Sequence, residues 1–366
     1  MDQNIKREVF ALYLPQFHQI PENDQWWGKG FTEWDNVKKA KPLFNNHKQP
    51  QIPRDGYYDL SKVETLRNQA KLLEEFGISG FCFYHYYSVG KLLLETPSEN
   101  LLKNKDINFE FFFSWANHDW RRTWYSFNNE LLFEQKYGSD DEFNAHYDYL
   151  RNFFLDNRYK KIDNKPVFII YRSDLVEDFD KMKLIWNKRA INDGFNGILF
   201  ISTITGKGID RKTEGFDGYF VFEPDAIISE QMSNIQKHYQ NIKAKLVPRY
   251  NKLSAKKFLR QSFDYQKITT IAQKSKINFE GKSYIQGAFA RWDNTPRHSF
   301  NGRIINNATK VQFSDYIKSK IKNPDSKALP IIIINSWNEW SEGSNIEPNT
   351  TEGDIYLQAI KEAIND

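Results

Sequence analysis

The chain has 366 residues, with 51 Lys and Arg against 47 Asp and Glu, and the two signs are interspersed, which argues against a nucleic-acid partner. No run approaches the roughly 18 apolar residues of a membrane span, and no apolar segment follows the N-terminal charges. We therefore expect no membrane span, no secretory signal and a cytoplasmic location, and the single cysteine, Cys82, excludes an internal disulfide.

Eight short apolar runs recur along the chain, and each is predicted to form a strand. They are apolar throughout instead of alternating with polar residues, which is typical of parallel strands buried on both faces. The predicted strands are Val9–Leu14, Gly80–Tyr84, Phe109–Ser114, Val167–Tyr171, Gly197–Ser202, Gly218–Phe222, Tyr284–Phe289 and Ile331–Asn335.

Helical patterns lie between many of these runs. A capping box at Ser61–Glu64 predicts a helix that ends at Gly77, and a second box at Ser139–Glu142 opens a helix toward Asp156. Four more segments show helical spacing of apolar residues. They are Leu175–Asp193, Phe263–Lys274, Ser314–Lys322 and Ile355–Ile364.

The alternation of strands and helices predicts an α/β fold, a (β/α)8 TIM barrel that forms a single catalytic domain over residues 1–366. A doubly wound open sheet is the alternative, but no glycine-rich turn follows the first strand. Roughly residues 15–60 and 223–283 are too long for simple connections. We therefore predict long βα loops after strands 1 and 6, on the face where barrels carry their active sites.

The last predicted strand runs directly into two carboxylates, Glu339 and Glu342, which are flanked by Trp337, Asn338 and Trp340. Cleavage of a glycosidic bond needs one group that protonates the leaving oxygen and a second that acts at the anomeric side. A neighbouring Trp can raise the pKa of one carboxyl group by desolvation. We interpret the two Glu as a catalytic pair; the alternative is a solvated loop with incidental acids.

Six segments match the motifs of one family: Tyr13–His18, Asn23–Trp34, Gly80–Tyr86, Ser114–Asn117, Lys165–Tyr171 and Trp337–Pro348. Over nearly its whole length the chain resembles the WbsX family, described as glycosyltransferases of bacterial polysaccharide gene clusters. The last segment also resembles the Trp/Phe-Asn-Glu-Trp-x-Glu-Gly…Ile-Glu-Pro signature of glycoside hydrolase family 99.

The resemblance implies a (β/α)8 barrel that uses no metal and no cofactor. In family 99 the first motif glutamate is a general base that draws the proton from the sugar 2-hydroxyl, which attacks C1 to give an epoxide-like intermediate with retention. By resemblance Glu339 is this base and Glu342 the general acid. The family's Tyr-Asp-Asp-Thr stretch has the counterpart Arg291–Thr295, with one acid in place of two, so mannose specificity is not carried over.

Candidate substrate-binding residues lie in predicted loops or at strand ends, because aromatic rings and planar donors suit a hydroxyl-rich or anionic sugar. We expect at least four of seven tryptophans to border one cleft: Trp27, Trp34, Trp115, Trp120, Trp292, Trp337 and Trp340. The other candidates are Tyr13, His18, Glu33, His85, Tyr86, Asn117, Arg121, Tyr171, Asp293, Arg297, Asn338 and Glu347, with His118, Asp119 and Arg122 beside them.

For some of these residues a structural role is an open alternative. His85 suits a satisfied structural histidine, Asp293 and Arg297 suit an ion pair, and Glu347 suits support of the motif. Asp24, His47 and Glu223 lack metal-ligand spacing, so no metal site is predicted.

Three functions remain. The first is a glycoside hydrolase or transglycosylase that acts on a bacterial surface polysaccharide or its precursor. The second is a glycosyltransferase of O-antigen or capsular polysaccharide biosynthesis, although no Asp-x-Asp pair is placed for a nucleotide sugar. The third is a non-catalytic glycan-binding barrel, which the presence of both motif glutamates disfavours. The expected partner is an oligo- or polysaccharide.

Overall fold

The computed structural model describes residues 7–121, 130–205, 214–275, 281–322 and 326–366. Eight strands form one parallel sheet, and we number them in chain order. They are β1 Glu8–Tyr13, β2 Gly80–Ser88, β3 Glu110–Trp115, β4 Lys165–Ile170, β5 Leu199–Ile204, β6 Gly218–Val221, β7 Ser283–Phe289 and β8 Ala328–Asn335.

The sheet closes on itself through β1. This strand pairs in parallel with β2, where Phe10 lies opposite Gly80, and with β8, where Val9 lies opposite Ile332. The remaining strands pair in sequence around the ring. The predicted (β/α)8 barrel is confirmed, and the open-sheet alternative is wrong.

Burial explains why the strands read as unbroken apolar runs. Ile331 to Ile334 of β8 are all fully buried, although alternate side chains point to opposite faces of the strand. One set fills the interior of the barrel and the other packs against the surrounding helices.

Eleven α-helices lie in the described parts of the chain. They are α1 Pro21–Trp27, α2 Trp34–Lys39, α3 Val63–Phe76, α4 Thr96–Lys103, α5 Asp140–Phe154, α6 Phe179–Asn192, α7 Asn234–Leu253, α8 Tyr265–Lys274, α9 Thr295–His298, α10 Lys310–Lys322 and α11 Ile355–Asn365. In these parts of the chain, no helix is both long and apolar enough to cross a bilayer.

Several helix ends differ from the prediction. Gly77 ends α3 in the left-handed region as expected, with φ 72°. Both predicted capping boxes are wrong: the N-cap of α3 is Lys62 instead of Ser61, and Ser139 caps α5 without a side-chain hydrogen bond. A complete capping box forms instead at Ser233, where α7 begins.

The starts of three helices also move. A 3₁₀ turn at Ser173–Leu175 delays α6 to Phe179, and a short strand at Gln261–Asp264 delays α8 to Tyr265. By contrast, α10 begins at Lys310, four residues before Ser314. The core-facing periodicity fixed the middle of each helix, whereas local turns set the ends.

Both long loops lie where they were predicted. The loop after β1 contains α1 and α2, and the loop after β6 contains α7. A small sheet joins Gln261–Asp264 in parallel to Arg303–Asn306, which pairs with Trp292–Asp293. These segments build up the end of the barrel at which the strands terminate.

Candidate active site

The loop after β8 is fastened to the end of β1. The backbone N–H of Trp337 donates to the Leu12 carbonyl at 2.8 Å. The Asn338 side chain accepts from the Leu14 N–H at 2.7 Å and donates to the Leu14 carbonyl at 3.0 Å. The Asn338 side chain therefore bonds to the backbone of Leu14 and holds Glu339 at the rim of the barrel.

Glu347 lies beneath the same loop and holds its two tryptophans. Its carboxylate accepts from the indole N–H groups of Trp337 and Trp340, both at 3.0 Å. It also accepts from Tyr58 at 2.7 Å and Gln69 at 2.8 Å. Both indoles are buried, so the tryptophans beside Glu339 and Glu342 support the loop from below.

A sharp turn then brings Glu342 back toward β7. A 3₁₀ turn covers Trp340–Glu342, and Gly343 follows with φ 56°, in the left-handed region that favours glycine. A Cβ atom at Gly343 would lie 2.8 Å from the backbone oxygen of Asp293. The glycine therefore allows the loops after β7 and β8 to pack directly on each other.

Arg297 of α9 ties together three carboxylates from distant parts of the chain. Its Nη1 donates to Glu342 at 2.5 Å, its Nη2 to Glu339 at 2.8 Å and its Nε to Glu33 at 2.8 Å. The Glu339 side chain is 10% exposed and that of Glu342 is 25% exposed, so Glu342 is the more accessible of the pair. One positive charge faces three acids, which favours protonation of at least one of them.

The titration of the site follows from this arrangement. Burial is the main cause that raises the pKa of Glu339 to about 8; the nearby Glu342 and Glu33 add to the rise, and Arg297 opposes it. Burial also raises the pKa of Glu342, whereas Arg297 and Arg303 lower it. The site therefore holds a proton at neutral pH, which a general acid requires.

A cleft of about 540 Å³ opens above these carboxylates, at the carboxyl end of the barrel strands. Nine of the predicted site residues line it: Trp27, Tyr86, Trp120, Arg121, Tyr171, Trp292, Arg297, Glu339 and Glu342. His118 and Asp119 line it too, and Glu33 contacts it through Arg297. Arg122 lies outside the described residues.

Only three of the seven predicted tryptophans border the cleft, so the expectation of at least four is wrong. The indole of Trp34 donates to the Tyr58 carbonyl at 2.7 Å, and that of Trp115 donates to the Tyr87 carbonyl at 3.0 Å. These rings, like Trp337 and Trp340, are turned inward by backbone or carboxylate acceptors.

Other predicted residues are also occupied elsewhere. His85 and His146 face each other with their Nε2 atoms 2.8 Å apart, and burial lowers the pKa of His85 to about 3. Asp293 bonds to His47 at 2.8 Å and accepts from Gln49 at 2.7 Å. His85 therefore matches its structural alternative. Asp293 also has structural partners, but they are His47 and Gln49, whereas Arg297 bonds to glutamates instead.

Tyr13, His18 and Asn117 are likewise away from the cleft. The Tyr13 hydroxyl donates to Gln69 at 2.8 Å, so it supports Glu347 indirectly. Asn117 holds the Arg172 backbone through bonds of 2.7 and 2.8 Å, and His18 is buried.

Several residues that line the cleft were missed by the sequence interpretation. Tyr84 ends the predicted second strand, so its position at a strand end was an available signal. Asp225 and Arg303 form a 2.5 Å ion pair at the cleft wall, and Arg303 lies over the Trp292 ring at 4.8 Å. No local motif marks this pair, because its members are far apart in the sequence.

A closed (β/α)8 barrel with one buried and one half-buried carboxylate in a cleft at its strand ends is the arrangement of a carbohydrate-active enzyme. The family Glycosyltransferase WbsX matches residues 9–360, and the chain belongs to this family. Uncharacterized protein WxcX of Xanthomonas campestris pv. campestris (strain B100) is 32% identical over 372 residues. That match covers all of this chain and 50% of the relative, so the chain spans about half the length of the curated relatives it matches.

Solved structures show the same fold. The GH99 endo-alpha-mannosidase from Bacteroides thetaiotaomicron aligns with a TM-score of 0.57 at 14% identity, over 99% of this chain and 97% of that one. A glycoside hydrolase-like protein aligns with a TM-score of 0.53 at 15% identity, over 100% and 95% of the two chains.

Proposed function

We propose that the protein cleaves or transfers glycosidic bonds of a bacterial surface polysaccharide or its precursor, with Glu339 and Glu342 as its catalytic pair. The observation that carries the proposal is the pairing of both carboxylates on Arg297, inside the cleft at the end of β8. Burial raises the pKa of both groups, and a proton-donating carboxyl group is what glycosidic chemistry uses.

The roles follow from the family resemblance. Glu342 gives its proton to the leaving oxygen as the bond from C1 to that oxygen breaks. Glu339 takes the proton of the sugar 2-hydroxyl as that oxygen bonds to C1. Water or an acceptor hydroxyl then bonds to C1 and gives its proton to Glu342, while the bond from C1 to the 2-oxygen breaks and Glu339 returns its proton to that oxygen. Both carboxyl groups are thereby regenerated, and hydrolysis or transfer is complete with retention.

One observation favours the reverse assignment. The pKa of Glu339 is about 8, so in the unliganded site Glu339 holds a proton at neutral pH, as an acid would. Glu342 is the more exposed carboxyl group and would then act at the anomeric side. The two assignments differ in which variant is rescued by a good leaving group.

Binding of the sugar is assigned to the cleft walls. Trp27, Trp120 and Trp292 offer aromatic surface for the C–H faces of pyranose rings. Tyr84 of β2 and Tyr171, which follows β4, add hydroxyl groups to the lining of the cleft. Five of the aromatic residues predicted from the sequence thus line the cleft: Trp27, Tyr86, Trp120, Tyr171 and Trp292.

The family's description favours a second candidate, a glycosyltransferase that builds O-antigen or capsular polysaccharide. Both candidates predict a change at an anomeric carbon, and they differ in the donor. A transferase consumes a nucleotide sugar and releases a nucleoside phosphate, whereas a hydrolase or transglycosylase consumes a glycoside.

The test is product analysis by mass spectrometry with two sets of donors. One set contains 4-nitrophenyl α- and β-glycosides and bacterial surface polysaccharides, with and without added oligosaccharide acceptors, and the other contains nucleotide sugars. We expect turnover of glycosides only. Glu339→Gln should lose turnover of both kinds of glycoside, and Glu342→Gln should lose mainly turnover of the polysaccharides, which have poor leaving groups. Turnover of nucleotide sugars alone would establish the second candidate, and unchanged glycoside turnover in both variants would remove the catalytic pair.

A further inference from the structure

Helix α7 carries its large apolar side chains on the outside of the molecule. Ile235 is 83% exposed, Leu246 57% and Leu253 90%. Three further members of the same stripe, Tyr239, Ile242 and Tyr250, are exposed as well. At 3.6 residues per turn the six positions fall within about 80° of one another, so they form one continuous apolar stripe.

The face of α7 that packs on the barrel is the less apolar one. Asn251 is buried, and its side chain bonds to the backbone of Phe258 at 2.7 and 2.8 Å. Gln240 and Ala244 are half-buried on the same side. A helix that packs polar and small residues inward and large apolar residues outward has an outer face suited to a second apolar phase.

The charged residues of the segment that carries the stripe are all positive. Between Met232 and Phe263 the sequence contains no Asp or Glu. It contains eight basic residues there: Lys237, Lys243, Lys245, Arg249, Lys252, Lys256, Lys257 and Arg260. By helical geometry Lys243 borders one edge of the stripe, and Arg249 and Lys245 border the other.

We infer that α7 is an interfacial helix that attaches the protein to an anionic lipid bilayer. An apolar stripe edged by Lys and Arg is the pattern of helices that lie in the headgroup region, since the apolar face enters the lipid and the cations reach acidic headgroups. A second copy of this chain fits less well, because a symmetric pairing would bring two acid-free basic helices together.

The attachment places the cleft beside the membrane. Residue Arg260, just beyond α7, donates its backbone N–H to the Phe300 carbonyl at 2.9 Å, and Phe300 follows the helix that carries Arg297. Gln261–Asp264 pairs with the strand that contains Arg303, a cleft residue. The bilayer-facing helix and the cleft therefore share one end of the barrel, which suits a glycan carried on a lipid.

The test is co-sedimentation of the full chain with vesicles that contain phosphatidylglycerol, compared with vesicles of phosphatidylcholine alone. Two variants probe the surface: Ile242→Gln with Leu246→Gln and Leu253→Gln, and Lys245→Gln with Arg249→Gln and Lys252→Gln. Two matched controls change equally exposed residues elsewhere: Leu184, Ile191 and Val311 to Gln, and Lys41, Lys62 and Lys188 to Gln. Circular dichroism establishes that all four variants are folded.

We expect the wild type to bind the anionic vesicles only, with binding that weakens as salt screens the charges. Each α7 variant should lose on the order of 10²-fold in its partition coefficient onto anionic vesicles. One variant removes three apolar side chains from the lipid, and the other removes three basic side chains from the charged surface. No binding by the wild type, or equal loss in a control, would overturn the inference. A dimer in light scattering without lipid that the stripe variant disperses would also overturn it. The assay needs no substrate, so its failure would leave the proposed chemistry untouched.

Discussion

Replacing Glu339 with Gln tests whether the site is protonated at neutral pH, and the measurement is independent of any substrate. In the folded protein the pKa of Glu339 is about 8, against an ordinary value of 4.5. Folding therefore favours the protonated form. The resulting stability is fully present below about pH 4.5 and is lost as the pH rises through 8.

The magnitude follows from the two pKa values. A rise from 4.5 to about 8, at about 1.4 kcal/mol per unit, corresponds to at most about 5 kcal/mol of unfolding free energy. The amide of Glu339→Gln is neutral at every pH and still offers Arg297 an acceptor oxygen. The variant should match the wild type near pH 4.5 and exceed it in stability by up to about 5 kcal/mol above pH 8.

The assay is urea unfolding of both proteins across this pH range. Glu352→Gln is the matched control, because Glu352 is a half-buried carboxylate that also contacts an arginine, Arg291, at 2.5 Å. Arg291 and Lys48 lower the pKa of Glu352 against the opposing effect of burial. Its contribution to the unfolding free energy is therefore present at neutral pH and lost as the pH falls. If the unfolding free energies of the wild type and Glu339→Gln differed by the same amount at all pH values, a proton held by Glu339 at neutral pH would be refuted.

Three further predictions concern the cleft and its frame. Glu342→Gln should slow the turnover of glycosides with poor leaving groups by about 10²–10⁴-fold and that of activated aryl glycosides much less, whereas Glu339→Gln should slow both. The opposite pattern in steady-state kinetics would reverse the two roles. Trp120→Ala should raise KM roughly tenfold or more with little change in kcat, because an aromatic contact with the sugar is removed; an unchanged KM would exclude this ring from the sugar site. Gly343→Ala should lower the unfolding free energy by about 1–3 kcal/mol, since φ is 56° and the added Cβ meets the Asp293 backbone; an unshifted urea midpoint would contradict the packing of the two loops.

The sequence by itself determined the barrel and the motif. Parallel strands buried on both faces must be apolar at every position, so runs such as Ile331–Asn335 could be identified without any partner. The two glutamates follow that strand directly, so their place at the rim came from the strand assignment. Both inferences depend only on residues that are close to one another along the chain.

The sequence could not determine which way individual side chains point. Trp337 and Trp340 flank the proposed catalytic pair in the sequence, yet their indoles turn inward to Glu347. The apolar stripe of α7 has the periodicity of a buried face but lies in solvent. Periodicity records that a face is apolar, whereas the packing of the rest of the chain decides what covers it.

The chemistry of the site was decided by tertiary structure alone. Arg297 lies 264 positions from Glu33, and only closure of the barrel brings these two side chains together with Glu339 and Glu342. Their shared burial and mutual repulsion set the pKa of about 8 for Glu339. A pKa depends on desolvation and on charges within a few ångströms, and those are properties of the folded arrangement of atoms.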